Sequence, residues 1–249
     1  MTQTHYSLDS GIATIRMDDG KRNALSPQMF KELNAALDRA QADRAIIILT
    51  GRDEVFSAGF DLKVMKAGGA DALRMLHAGY SITARILSYP YPVIAACNGH
   101  SLAMGVFLML SCDYVIGTRG DFRISANEVA IGLTMPRVAA AMLRHRLTPA
   151  AFQNAVTLSR YFPVETAREA GFFDELADPA ALMDRARACA ADFAKLDMRA
   201  HTASKRRIRG ALIRYIRRSV PLDLFDALLM GLKAASRPKP PAAKAPGKA

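Results

Sequence analysis

The chain has 249 residues, 51% apolar and 23% charged, which is enough apolar material for a packed core and excludes wholesale disorder. At roughly 100–200 residues per domain, with α/β folds often longer, this length accommodates one large domain or a domain with an appendage. The net charge of +11 is unevenly placed: from Lys195 onward stand 14 Lys and Arg against three acids, so residues 1–194 carry 20 of each sign.

In chain order, residues 12–17 (IATIRM) alternate as a strand does and end in a turn at Asp18-Asp19-Gly20-Lys21. Ser26-Pro27 is a helix start, a hydroxyl cap followed by proline at the first helical position. Phe30, Leu33, Leu37 and Ala40 then recur on one helical face. Residues 45–50 (AIIILT) are apolar on both faces, the mark of a parallel strand covered by helices. The same grammar repeats: a helical segment around 70–88, a buried strand at 92–96 broken by Asn98-Gly99, a helix-like block at 102–112, and a buried strand at 113–117. This alternation predicts an α/β fold with parallel strands. Residues from about 149 to 232 read as mostly helical. The expected division is a core over 1–194, a basic helical region over 195–232, and a mobile Pro/Ala/Lys-rich tail over 233–249.

Three cysteines, an odd number, build no disulfide framework and read as reduced, buried thiols of a cytoplasmic protein. The N-terminus is polar without a signal-peptide core, and the most apolar stretch, 102–110, falls short of the about 20 residues a membrane span needs. No membrane association is therefore expected. The histidines at 5, 77, 100, 145 and 201 are dispersed, and neither a metal-ligand pair nor a Gly-x-Ser-x-Gly elbow occurs. The basic C-terminal quarter reads either as a solvated basic helix with a solubilising tail or as the seat of an anionic partner: nucleic acid, a membrane surface or a phosphorylated ligand.

Two segments carry chemistry. Residues 55–62 (VFSAGFDL) follow the strand at 45–50, so they lie at a strand's carboxyl end, the usual address of α/β ligand sites. The small residues Ser57, Ala58 and Gly59 let a ligand approach and leave N–H groups free to point at it. Residues 98–105 (NGHSLAMG) repeat the layout of strand, Gly-containing loop and helix start, where unpaired N–H groups suit an anion or oxyanion. A Walker loop is excluded, because the Gly-Lys-Ser/Thr ending is missing.

The two segments in this order, with Ser111-Cys112-Asp113 downstream and Arg22-Asn23-Ala24-Leu25 upstream, resemble the crotonase superfamily (enoyl-CoA hydratase/isomerase family) over roughly residues 10–230. The resemblance implies a crotonase-like spiral of ββα repeats, a helical C-terminal trimerisation region giving a homotrimer or dimer of trimers, and an acyl-CoA thioester as ligand. It also implies a backbone oxyanion hole, with N–H groups from Phe60 and Met104; such donors contribute roughly 3–4 kcal/mol each. The Ala58 carbonyl would meet the adenine and Lys63 the CoA phosphates. Arg22, Ala24, Asp61 and Phe107 complete the expected substrate-binding set. Lys205, Arg206, Arg207 or Arg209 would lie near CoA phosphates. No metal or separate cofactor is implied, since CoA arrives with the substrate.

Family hydratases use two glutamates. At the first position this chain has Phe107, which can neither take a proton nor orient water; at the second it has Glu128, followed by apolar Val129, Ala130 and Ile131. One carboxylate fits a Δ3,Δ2-enoyl-CoA isomerase, and Asn127-Glu128 is similar to the same stretch of mitochondrial-type isomerases. The alternatives are 2-enoyl-CoA hydration with a replacement acid, Glu54 or Asp61, and an inactive member that holds CoA or RNA through its basic helix. The RNA alternative is weakened because Tyr215 is the one ring between 205 and 218.

Overall fold

The structure is a computed structural model and describes residues 2–235. In chain order the elements are β1 (Thr4–Asp9), β2 (Ile12–Met17), β3 (Ala24–Leu25), α1 (Pro27–Ala42), β4 (Ile46–Thr50), β5 (Val55–Ser57), β6 (Gly59–Phe60), α2 (Leu62–Ala67) and α3 (Gly69–Leu87). They continue with β7 (Val93–Cys97), β8 (His100–Leu102), α4 (Met104–Leu110), β9 (Tyr114–Thr118), β10 (Ile124–Ser125), α5 (Arg137–Arg146), α6 (Pro149–Leu158), α7 (Val164–Ala170), β11 (Glu175–Ala177), α8 (Leu182–Phe193) and α9 (Met198–Ala235).

Six strands form the main sheet in the order β1-β2-β4-β7-β9-β11, parallel except for the β1–β2 pair. β4 and β7 are buried along their whole length because helices cover both faces. The period-two alternation sorts their side chains. Ile47 and Leu49 join the larger core with α1, α3 and α4, while Ile46 and Ile48 pack with Leu182, Ala186 and Ala190 of α8.

After leaving the main sheet at β4, β7 and β9, the chain adds one short strand to a second, parallel sheet, β10-β8-β5, before turning into helix. These are the expected ββα repeats. The block at 102–112 is shorter as a helix than its composition predicts. Residues 100–102 are extended as β8, because their backbone is held between β5 and β10, and α4 starts at Met104. Ser26 caps α1 as predicted, its hydroxyl accepting the Met29 N–H at 3.1 Å.

The long α9 packs against α3 and α5. Residues 236–249, most of the predicted tail, lie outside the described residues. Cys97, Cys112 and Cys189 are buried and unpaired. No helix among the described residues is long and apolar enough to cross a membrane.

Candidate active site

Asn23 anchors the first loop. It is fully buried, and its amide donates to the carbonyls of Met17, Val55 and Phe56 at 3.0–3.2 Å, tying β2 to β5. Ser57 Oγ donates to the Asn23 carbonyl at 2.8 Å and accepts the Gly59 N–H at 3.1 Å. Ala58 N–H donates to Arg22 O at 3.0 Å, and Asp61 N–H to Leu25 O at 3.3 Å. The small-residue run therefore does not leave its own N–H groups free, because Ala58 and Gly59 are both engaged. The group that remains is Phe60 N–H. Consecutive N–H groups of a strand point to opposite sides, so with Asp61 N–H turned toward β3, that of Phe60 turns away from it.

The second loop comes to meet the first. Ala103 holds φ 47°, ψ −122°, a left-handed conformation rare for a residue with a Cβ. Its N–H donates to Ser125 O at 2.9 Å and its carbonyl accepts from Val106 N–H, so both ends of the residue are fixed. The turn presents Met104 N–H at the first position of α4, where no preceding helical carbonyl exists to receive it. Gly59, at φ +89°, lies directly opposite: a Cβ there would stand 3.0 Å from Leu102 O and 3.4 Å from Met104 N. Gly105 is equally crowded, since a Cβ would fall 2.6 Å from Ser57 O. Glycine at these two positions brings the Phe60 and Met104 peptides together.

Glu128 enters from a third loop, between β10 and a 3-10 turn at Val129–Ile131. Its carbonyl accepts from Ile131 N–H at 3.2 Å and Leu133 N–H at 2.9 Å, which fixes the backbone. The residue is 6% exposed, and Oε2 has no hydrogen-bond partner among the described residues. Burial pushes this carboxyl up to about 7, against a weaker opposing effect of its own backbone N–H. A carboxyl poised there can take up and return a proton near neutrality.

The aromatic wall was not legible in the sequence. Phe60 lies 6.0 Å from Phe30 and 6.0 Å from Tyr80, the latter edge-on at 83°. Phe107 is buried in the core on α4. Of the other expected residues, Arg22 is exposed and contributes its carbonyl, Ala24 pairs with Gly59, and Lys63 is exposed at the start of α2. Asp61 accepts Lys63 N–H at 2.8 Å and caps that helix. Glu54 is exposed, its carbonyl takes the His100 N–H, and neither its carboxyl nor that of Asp61 hydrogen-bonds to Glu128.

Lys205 and Arg209 correct another expectation. Both are buried against Asp113, Lys205 Nζ 2.6 Å from Oδ2 and Arg209 Nη1 2.8 Å from Oδ1, the latter an ion contact without hydrogen-bond alignment. They hold α9 to the sheet and are not available to CoA phosphates, whereas Arg206 and Arg207 are exposed. A cleft of about 410 Å³ between α3 and α9, bordered by His77, Ser81, Arg217 and Leu224, includes none of the expected site residues.

The family model for enoyl-CoA hydratase/isomerase matches residues 7–217. The chain belongs to the enoyl-CoA hydratase/isomerase family. Among solved structures, it is similar to a family protein from Pseudomonas syringae, 40% identical with a TM-score of 0.88, covering 89% of this chain and 96% of that one. It is likewise similar to the apo structure of an enoyl-CoA isomerase from Mycobacterium tuberculosis, 43% identical with a TM-score of 0.86, covering 89% and 97%. A Thermus thermophilus protein named as an enoyl-CoA hydratase is 32% identical over 191 residues, 74% of this chain and 75% of its own length. The chain thus has the crotonase fold of an enoyl-CoA hydratase/isomerase family enzyme, a family that acts on acyl-CoA thioesters.

Proposed function

We propose that this chain is a Δ3,Δ2-enoyl-CoA isomerase with Glu128 as its single proton shuttle. The thioester oxygen sits between the N–H groups of Phe60 and Met104, which stabilise the negative charge that develops on it. Glu128 removes an α-proton from a 3-enoyl-CoA, the two N–H groups hold the dienolate, and the same carboxyl returns the proton at the γ-carbon. In this reading Lys63 meets the CoA phosphates and the Ala58 carbonyl the adenine. The observation that carries this reading is a buried carboxyl, its Oε2 without a partner among the described residues and its ionisation raised to about 7, with phenylalanine at position 107 where a hydratase has its other acid. The M. tuberculosis relative carries both names, enoyl-CoA isomerase in one solved structure and enoyl-CoA hydratase in another, so its names favour neither reaction.

Hydration is the second reading, favoured by the hydratase name of the T. thermophilus relative. It requires a second polar group to orient water. Incubation with a trans-3-enoyl-CoA separates the two: isomerisation leaves the mass unchanged and creates conjugated-thioester absorbance, whereas hydration of a 2-enoyl-CoA adds the mass of water.

Self-association through α9 belongs to the same proposal. Its outward face exposes Ile208, Tyr215, Leu222 and Leu229 at seven-residue steps, with Phe225 between the last two and Leu232 one turn beyond. Such a stripe suits helix packing between copies.

A further inference from the structure

We propose that the cleft between α3 and α9 is a second binding site, for an aliphatic monocarboxylate. The inference stands apart from the isomerase reading, because none of the residues it uses belongs to the candidate active site.

The cleft holds about 410 Å³, within the roughly 300–1,000 Å³ of small-molecule sites. Two helix faces build it. On α3, His77, Ser81, Ala84 and Ser88 recur at steps of three and four, and on α9 Ile216, Val220 and Leu224 recur at steps of four. The wall is apolar: Ala84, Ile216 and Val220 are buried and Leu224 is half-buried, with the Pro221 ring beside them. Such a wall takes an alkyl chain, since each methylene removed from water adds to affinity. The exposed stripe of Ile208, Tyr215, Leu222 and Leu229 is not part of the lining.

The polar lining is cationic or hydroxylic, and no Asp or Glu among the described residues borders the cleft. Two of its polar side chains are already engaged. The Arg85 guanidinium donates to the Asn34 carbonyl and Oδ1 at 3.0 and 2.7 Å and pairs with Asp38. The Ser88 hydroxyl donates to the Ala84 carbonyl at 2.8 Å. His77, Ser81 and Arg217 have no such partner among the described residues. An imidazole, a hydroxyl and a guanidinium, with no acid between them, suit one carboxylate, which a guanidinium grips through two parallel hydrogen bonds. A carboxylate at Arg217 with its chain along the wall satisfies both halves of the lining.

Decanoate is the probe, with decanol lacking the charge and acetate lacking the chain. Decanoate is expected to bind the full-length protein with a Kd of roughly 0.1–1 mM. Decanol and acetate bind at least about tenfold more weakly. In methyl-labelled protein the decanoate chain gives nuclear Overhauser contacts to Ile216, Val220 and Leu224, with Ile216→Val assigning its signal. Arg217→Gln weakens decanoate at least about tenfold, and Ser81→Phe, which fills the cleft, blocks it. The wild-type contacts need no variant to fold. Contacts at other methyls, displacement by decanoyl-CoA, or equal affinity in Arg217→Gln place decanoate elsewhere and overturn the proposal. Decanol binding as tightly as decanoate, or no saturable binding up to about 10 mM, overturns it too. Turnover of an enoyl-CoA enters none of these readouts, so a failure of the isomerase reading leaves the site standing.

Discussion

Lys205 Nζ, on a buried side chain, lies 2.6 Å from Oδ2 of the half-buried Asp113. Asp113 also accepts Val93 N–H at 2.7 Å and meets Arg209, so one carboxylate at the start of β9 fastens α9 to the main sheet. Removing that carboxylate strands two buried cations. Asp113→Asn is expected to lower unfolding free energy by about 3–5 kcal/mol, measured by urea denaturation. A loss below about 1 kcal/mol contradicts the anchoring role.

Glu128 links stability to pH. Its carboxyl is raised from 4.5 to about 7 by burial, so the folded state holds a proton that the unfolded chain has released. The stabilisation is complete below the unfolded value and is lost as pH rises through the folded one. Glu128→Gln removes this dependence. The variant is expected to be about 3 kcal/mol more stable than wild type at pH 8, with the difference vanishing near pH 4. Parallel stability–pH curves for the two proteins contradict the raised carboxyl.

Gly105 sets the distance between the two loops. A methyl at this position meets the Ser57 carbonyl at 2.6 Å, a contact backbone relieves only by moving. Gly105→Ala is expected to push α4 away from β5 and cut kcat/KM by at least about tenfold, since oxyanion donors act only when in place. Full activity in this variant contradicts the proposed pairing of Phe60 and Met104.

Ala103 holds a conformation that costs roughly 1–3 kcal/mol for a residue with a Cβ. Ala103→Gly is expected to retain activity and to be no less stable than wild type, because the released strain offsets the entropy that glycine adds to the unfolded chain. Loss of activity with folding intact would mean that the Ala103 methyl, not the turn, positions Met104.

The parallel strands were legible because they are apolar on both faces, as residues 46–50 and 93–97 show. The helix start at Ser26-Pro27 was legible because capping is local chemistry. β8 was not, since residues 100–102 are extended only through partners distant in sequence, at 55–57 and 124–125. The two loops proposed to supply the oxyanion donors were legible by their small residues, yet which N–H stays free in the first depends on Ser57 Oγ and Arg22 O taking the others. Charge misled most at α9: Lys205 and Arg209 read as phosphate ligands, and only the fold shows them turned inward onto Asp113. Tyr80 gave no signal, because on an amphipathic helix an inward tyrosine looks like any core residue.

The exposed stripe of α9 predicts that Leu222→Ser with Leu229→Ser lowers the mass measured by light scattering toward 27.0 kDa. A wild type that is already monomeric at micromolar concentration contradicts self-association through this face.

The central claim is tested by mixing the wild type and Glu128→Gln with a trans-3-enoyl-CoA and following mass and ultraviolet absorbance together. Conjugated thioester appearing at unchanged mass with wild type, and at least about 100-fold more slowly with Glu128→Gln while CoA-ester binding persists, is the predicted result. An untouched ester with wild type, or equal rates for the two proteins, contradicts it.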